Sequence, residues 1–333
     1  MTASEENQYC IAFYNLENLF DTANDPVTFD DDRTPEGSDH WTDAYYNDKL
    51  KNMALAISKI GRSVTGAPPA IIGVSEIENR KVLEDLINEP FLNKYDYGIV
   101  HFNSPDRRGI DVALLYRKSI FMPLKSSNHE LVIYAYDDAA KRAYTRDQLL
   151  VKGILDGTEI YFIVNHWPSR SGGEELSSVR REAAAQLNRQ IIDSIQNDDP
   201  YAKVITMGDL NDDPVNKSVS DVLGALPERN NLELKDLYNP MYNMFINGAG
   251  TLAYRDSWNL FDQIILSAPL LRTDYSEYVF YKAGIFNEPF LSSSTGQYKG
   301  YPFRSYANGN YTGGYSDHYP VYVYLIKEAA GED

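Results

Sequence analysis

A single cysteine, Cys10, stands in the 333 residues, so no disulfide can form within the chain and clustered thiolate metal sites are excluded. Long apolar runs are missing too, and nothing approaches the ~18 consecutive apolar residues of a membrane span. The opening Met1-Thr2-Ala3-Ser4-Glu5-Glu6-Asn7 lacks the basic-then-apolar layout of a signal peptide. A soluble protein is expected, and a secreted or periplasmic one only if a leader preceded these residues. Positive charge is scarce, with 31 Lys and Arg against 48 Asp and Glu and a net charge of −17. Such a surface repels polyanions at long range, which disfavours nucleic acid as a partner unless a local basic cleft survives. Also absent are a Gly-x-Ser-x-Gly elbow around Ser316, a Walker-type phosphate loop and a His-Glu-x-x-His helix. The contiguous Ser316-Asp317-His318 does not make a hydrolase triad, because triads converge from distant segments.

What the chain does hold is 43% hydrophobic residues, enough for a substantial core. Neither an internal repeat nor a Pro/Gly/Ser-rich linker divides it. One domain over 10–328 is expected, between short tails at 1–9 and 329–333, with the oligomeric state left open. Strand-like runs cover Cys10 to Leu16, Ala70 to Ile77, Tyr95 to Phe102, Ile110 to Arg117, Glu130 to Tyr136 and Gln148 to Leu155. They continue at Glu159 to Trp167, Lys203 to Leu210, Leu260 to Ser267 and Pro320 to Ile326. Helical stripes appear at Leu50, Met53, Ala54, Ile57 and Ile60, and at Val179, Ala183, Leu187, Ile191 and Ile195. Many strands with few helices predict an α+β or layered α/β domain. Two stretches read as loops. Residues 21–43 carry eight acids and are expected to be a solvated surface loop rather than a cation site, and residues 281–314, rich in Gly, Ser, Tyr and Asn, run directly towards Asp317 and His318.

Polar pairs spaced by two recur where apolar runs end: Asn15 and Glu17, Glu76 and Glu78, Asp209 and Asn211. In a strand that spacing puts both side chains on one face. Carboxylate and amide oxygens suit a hard cation such as Mg²⁺, with Mn²⁺ as a substitute, and offer nothing specific to zinc. Mg²⁺ commonly takes one or two carboxylates plus substrate phosphate oxygens, so Glu76 with Asp317 or Asp209 would suffice, and a phosphate ester becomes the natural substrate. Of five histidines, His166 follows a strand and His318 precedes one, settings in which imidazole serves as a general base. Asp262 interrupts an apolar strand and is a candidate to orient His318, since burying it without a partner would be costly.

Taken in order, Asn15, Glu76, His166, Asp209 with Asn211, Asp262 and Asp317-His318 resemble the motifs of the endonuclease/exonuclease/phosphatase superfamily, from about Cys10 to Ile326. Pancreatic deoxyribonuclease, abasic-site endonucleases, neutral sphingomyelinases and inositol polyphosphate 5-phosphatases belong to it. The resemblance implies a four-layer α/β/β/α sandwich of the deoxyribonuclease type, with two mostly antiparallel sheets flanked by helices and the site at one end. It implies roles as well. Glu76 is similar to the principal Mg²⁺ ligand, Asn15 and Asp317 to residues completing the metal site, and Asp209 with Asn211 to the pair holding the nucleophilic water or a second cation. His318, oriented by Asp262, resembles the catalytic histidine, while His166 and Arg146 resemble residues near the scissile phosphate.

Such a site serves nucleases, lipid phosphodiesterases and phosphatases alike. The acidic total favours a small or lipid-linked ester over DNA or RNA cleavage, and the arginine groups at 107–108, 142–146 and 180–181 are small. A rival of another class, an inactive binding protein on the same scaffold, is opposed by the chemical intactness of every core position. Twenty-six tyrosines, several in Tyr298 to Tyr315, could stack on a sugar, a base or an inositol, or pack a long loop.

Overall fold

Alternation along the first strand decides the layering. Ile11 and Phe13 point to one buried face of their sheet and Ala12 and Tyr14 to the other. A sheet buried on both sides needs two covers, and the computed structural model, which describes residues 6–136, 138 and 140–328, supplies them. In chain order the main strands begin with β1 (Glu6–Leu19), β2 (Ile71–Ile77), β3 (Tyr97–His101), β4 (Asp111–Arg117), β5 (Phe121–His129), β6 (Gln148–Leu155) and β7 (Thr158–His166). They continue with β8 (Val204–Asp209), β9 (Ala225–Leu226), β10 (Leu237–Tyr238), β11 (Asp262–Ser267), β12 (Val279–Ile285) and β13 (Val321–Glu328). The principal helices are α1 (Asp43–Lys59), α2 (Arg80–Asn88) and α3 (Glu174–Asp198).

One six-stranded sheet runs β12-β13-β1-β2-β4-β3 and one seven-stranded sheet runs β9-β10-β11-β8-β7-β6-β5. Most pairings are antiparallel. At the heart of each sheet sits a parallel pair joined through a helix, β1 with β2 across α1 and β7 with β8 across α3. Between the sheets lie Ile11, Phe13, Leu114, Phe162, Met207 and Ile264. Helices α1 and α2 cover the outer face of the first sheet through Leu50, Met53, Ile57, Leu83 and Leu86. Helix α3 covers the second through Ala184, Ala185, Ile191, Ile192 and Ile195. This is the four-layer sandwich that the resemblance implied.

Three local expectations are corrected. Residues 130–136 contribute only the two-residue strand Ile133–Tyr134, and the real edge strand is β5, whose Pro123 and polar composition hid it, because an edge tolerates both. The loop-like stretch 281–314 begins inside β12. On α3, Val179 is 69% exposed while Ser177, Arg181 and Asn188 are buried. That helix seats its first half on polar groups, so a purely apolar stripe misplaces its inner face. Residues 1–5 of the expected 1–9 tail, and all of 329–333, lie outside the described residues, whereas Glu6 to Tyr9 are not tail but pair with β13.

Candidate active site

Strand termini build the site. Asn15 and Glu76 sit near the carboxyl ends of the first parallel pair, and His166 and Asp209 end the second. Asp209 is opposite His166 on one side and Asp262 on the other, so register alone gathers three polar groups in one row. Gly208 lets β7 and β8 approach there, since a Cβ on it would lie 2.3 Å from the Asn165 carbonyl oxygen. The two sheets meet where Asn15 Nδ2 donates to Asp209 Oδ2 at 3.0 Å. Beyond Asn15 and Ser75 the register of β1 and β2 shifts, and Glu17, Asn18 and Glu76 adopt left-handed backbone with φ of 47°, 52° and 57°. The spacing rule thus found these residues although alternation stops at them; a bulge aims Glu76 instead. Its Oε2 accepts the Asn18 N–H at 3.0 Å.

His318 and Asp262 form a buried pair, Nδ1 to Oδ2 at 2.7 Å, and Thr251 Oγ1 donates to the same carboxylate oxygen. The imidazole Nε2 then faces Asp209 Oδ2 at 3.9 Å and Asp317 Oδ1 at 4.0 Å. Burial disfavours the imidazolium, yet Asp262, Asp209 and Asp317 outweigh it and hold the pKa of His318 well above the imidazole range. His166 behaves oppositely. Burial, reinforced by Arg146, Arg108 and His318, pushes its pKa well down, so it is neutral. Its Nε2 lies 3.6 Å from Asp209 and 3.9 Å from Glu76. Burial also raises the Asp209 carboxyl, with Asp262 and Glu76 adding to the rise and His318 opposing it.

Oxygen donors are available for a hard cation. Glu76 and Asp317 keep 15% and 34% of their side chains exposed, against 3% for Asp209. The side-chain Oδ1 of Asn15 accepts the Glu17 N–H at 2.9 Å, which fixes the amide in place. Asp209, Asp262 and His318 also fall within 4.8 Å of one another, but the short bond from His318 to Asp262 commits that carboxylate to the imidazole. Glu76 and Asp317 are thus the more accessible carboxylates, as suits a hard cation that keeps several waters, whereas the buried trio is taken up by the His318–Asp262 bond.

Asn211, at φ 51°, donates its backbone N–H to Asp209 Oδ1 at 3.0 Å and its amide to the Trp167 carbonyl at 2.9 Å. Arg146 is 5% exposed and gives its guanidinium to the carbonyls of His166 and Trp167 and to Asp106. It clamps the end of β7 rather than reaching outward. Two neighbours escaped the sequence reading: Thr251 under Asp262, and Arg304, which joins Glu17 at 3.3 Å to Asp317 at 3.2 Å. Glu17 itself stood out only by its spacing from Asn15.

The family model described as the Endonuclease/Exonuclease/phosphatase family matches residues 10–327. The chain belongs to that family. Membership places it among phosphoric ester hydrolases, whose enzymes are metal-dependent. An endonuclease/exonuclease/phosphatase family protein from Bacteroides thetaiotaomicron shares the fold at 17% identity and TM-score 0.58, covering 98% of this chain and 100% of that one. Truncated Caenorhabditis elegans TDP2 does so at 13% identity and TM-score 0.57, over 96% and 98% of the two chains. A mannosyl-6-phosphatase from Bacteroides thetaiotaomicron does so at 16% identity and TM-score 0.53, over 95% and 99%. No curated protein matches the sequence.

Proposed function

We propose that residues 10–328 form one domain that hydrolyses phosphate esters with Mg²⁺, acting on small substrates rather than duplex nucleic acid. The observation that carries this reading is the buried His318–Asp262 pair facing Asp209 across 3.9 Å, a gap that one water oxygen can bridge. Glu76 and Asp317, with Asn15 beside them, would hold the cation, which when bound neutralises phosphate oxygens and eases attack by water.

Each protein group has a defined task. Asp262 accepts the Nδ1–H and fixes the tautomer, so Nε2 is the atom presented to water. A cation held by Asp317 would take up part of the carboxylate charge that keeps His318 protonated, leaving Nε2 as the atom that would accept the proton of the water. Asp209, steadied by Asn15 and the Asn211 N–H, orients that water for in-line attack. Neutral His166 and the second amide hydrogen of Asn211 donate to the phosphate oxygens as charge develops there. Arg146 keeps His166 in position, and Arg108, with a half-exposed side chain, is the more accessible cation for a phosphate.

One fold neighbour is called a mannosyl-6-phosphatase, which accords with a small ester, while Danio rerio TDP2 has been solved with a single-strand DNA product. A net charge of −17 favours the former. Hydrolysis of p-nitrophenyl phosphate, bis-p-nitrophenyl phosphate and plasmid DNA with and without Mg²⁺ tests the proposal. His318→Ala is expected to lower kcat about 10²–10⁴-fold. An undiminished rate in that variant overturns the mechanism.

A further inference from the structure

A cavity of about 560 Å³ opens beside the dyad, lined by residues 253–256 on one side and by residues 293–312 on the other. Its volume falls in the ~300–1,000 Å³ range of small-molecule sites. Asp317 belongs to both places. It lines this cavity and stands 4.0 Å from His318 Nε2. An ester whose phosphorus sits at the dyad therefore has this cavity as room for its remaining half.

The walls are anchored to the catalytic residues. Leu252–Tyr254 and Ser257–Asn259 form a hairpin whose two turn residues, Arg255 and Asp256, have φ of 49° and 62°, the signature of a tight type I′ turn. Just before it, Thr251 bonds Asp262 by its hydroxyl and accepts the Tyr319 N–H on its carbonyl. The facing loop is pinned through Arg304 to Asp317 and through the Tyr301 hydroxyl to Asp256. This frame holds the cavity at a fixed distance from the dyad.

The lining chemistry selects. Two tyrosines, Tyr254 and Tyr298, keep 63% and 45% of their surfaces exposed, with the Arg255 guanidinium 5.2 Å from the centre of the Tyr254 ring and so on one of its faces. Tyr298 and Tyr301 are tilted by 39°, which gives single faces rather than the parallel slot that clamps a base. Asp256 retains acceptor capacity, and the amides of Gln297 and Asn308 make no hydrogen bonds among the described residues. Carboxylate and amide together match hydroxyls, which both donate and accept. Cations are few. Arg304 is committed to Glu17 and Asp317, leaving Arg255 as the one lining arginine without an acid partner. A phosphodiester chain asks for more positive charge than that.

We infer that this cavity is the leaving-group subsite and takes a compact, uncharged, polyhydroxylated group, so that the preferred substrate is a sugar monophosphate. The inference rests on the phosphoesterase reading and deepens it. A pyranose lies with its C–H face on Tyr298 or Tyr254 while its hydroxyls reach Asp256 and Asn308.

The test measures kcat/KM with Mg²⁺ for a hexose 6-phosphate, a nucleoside 5′-monophosphate and p-nitrophenyl phosphate, whose turnover owes more to its leaving group than to binding. Wild type, Tyr298→Ala and Asp256→Asn are compared. Tyr298 is exposed, so its variant keeps the fold. The expected result is a preference for the hexose ester and at least a tenfold fall in the ratio of hexose ester to p-nitrophenyl phosphate in both variants, through KM more than kcat. Turnover of p-nitrophenyl phosphate without a hexose preference, or with an unchanged ratio in the variants, overturns the subsite and leaves the phosphoesterase standing. A preference for the nucleotide that Tyr298→Ala abolishes also overturns it, in favour of base stacking. No turnover of any ester overturns the phosphoesterase reading, and the subsite falls with it.

Discussion

The first sheet and the second each carry a strand–helix–strand unit with two site residues at its ends, yet they hold those residues by different means. Helix α1 rests on β1 and β2 through an apolar face, and the site residues beyond it are aimed by left-handed backbone at Glu17, Asn18 and Glu76. Helix α3 rests its first half on polar groups. Asn188 bonds Gln148 and Asn165, and Arg181 lies 2.7 Å from Asp212 in an ion pair poorly aligned for hydrogen bonding. The segment carrying Asp209 and Asn211 is thus tied to its helix by a polar network, while Glu76 depends on a bulge. Apolar seating supports a fold without specifying a loop; polar seating does both, at the cost of failing badly when one member is removed.

Removing one partner is the strongest way to break the comparison. Arg181→Met leaves Asp212 buried with only Arg170 and Ser218, and should cost about 3–5 kcal/mol in urea denaturation, with a fall in kcat as the 209–213 segment relaxes. A stable, fully active variant would show that the ion pair does not hold the site. Next in size, Met53→Ala under α1 should cost about 2–5 kcal/mol while kcat per folded molecule stays unchanged. Asn188→Ala under α3 should cost about 1–3 kcal/mol yet lower kcat. Equal effects on kcat from the two would erase the distinction between the seats.

The last contrast concerns the buried cation of α1, Lys49. Lys49 donates to Ser305 at 2.6 Å, and burial draws its pKa down to about 8 although Glu17, Asp317 and Glu76 pull upward. Its folded pKa lies below the ordinary 10.5, so the unfolded chain binds the extra proton between these values, and the Lys49 contribution to stability rises with pH from about 8 towards 10.5. Denaturation midpoints of wild type minus those of Lys49→Met should climb across that window. A flat difference would mean that Lys49 titrates normally.

These contrasts also explain what the sequence could reveal. Asn15, Glu76, His166 and Asp209 were legible because each ends an apolar run, and the layered α/β class was legible from many strands with few helices, while the four-layer order came from the resemblance of the ordered motifs. Edge strand β5 was not, because an edge exposes one side and admits Pro123 and polar residues. The inner face of α3 was not, because burial there follows hydrogen-bond partners rather than hydropathy. Thr251 and Arg304 were invisible for another reason: they reach the site from loops whose paths no local pattern encodes.

The pairing of β13 between β12 and β1 places one consequence in time rather than in space. Phe13 meets Val321 across 308 positions of chain, and His318 lies just ahead of that strand. During synthesis β1 must wait with an open edge until residues 321–328 emerge, and such distant pairing is slow to form. A nascent chain that has not reached His318 has neither a closed sheet nor a dyad. On the proposed mechanism activity would switch on only when β13 has slotted home, and turnover by ribosome-released fragments would serve as a clock for that step.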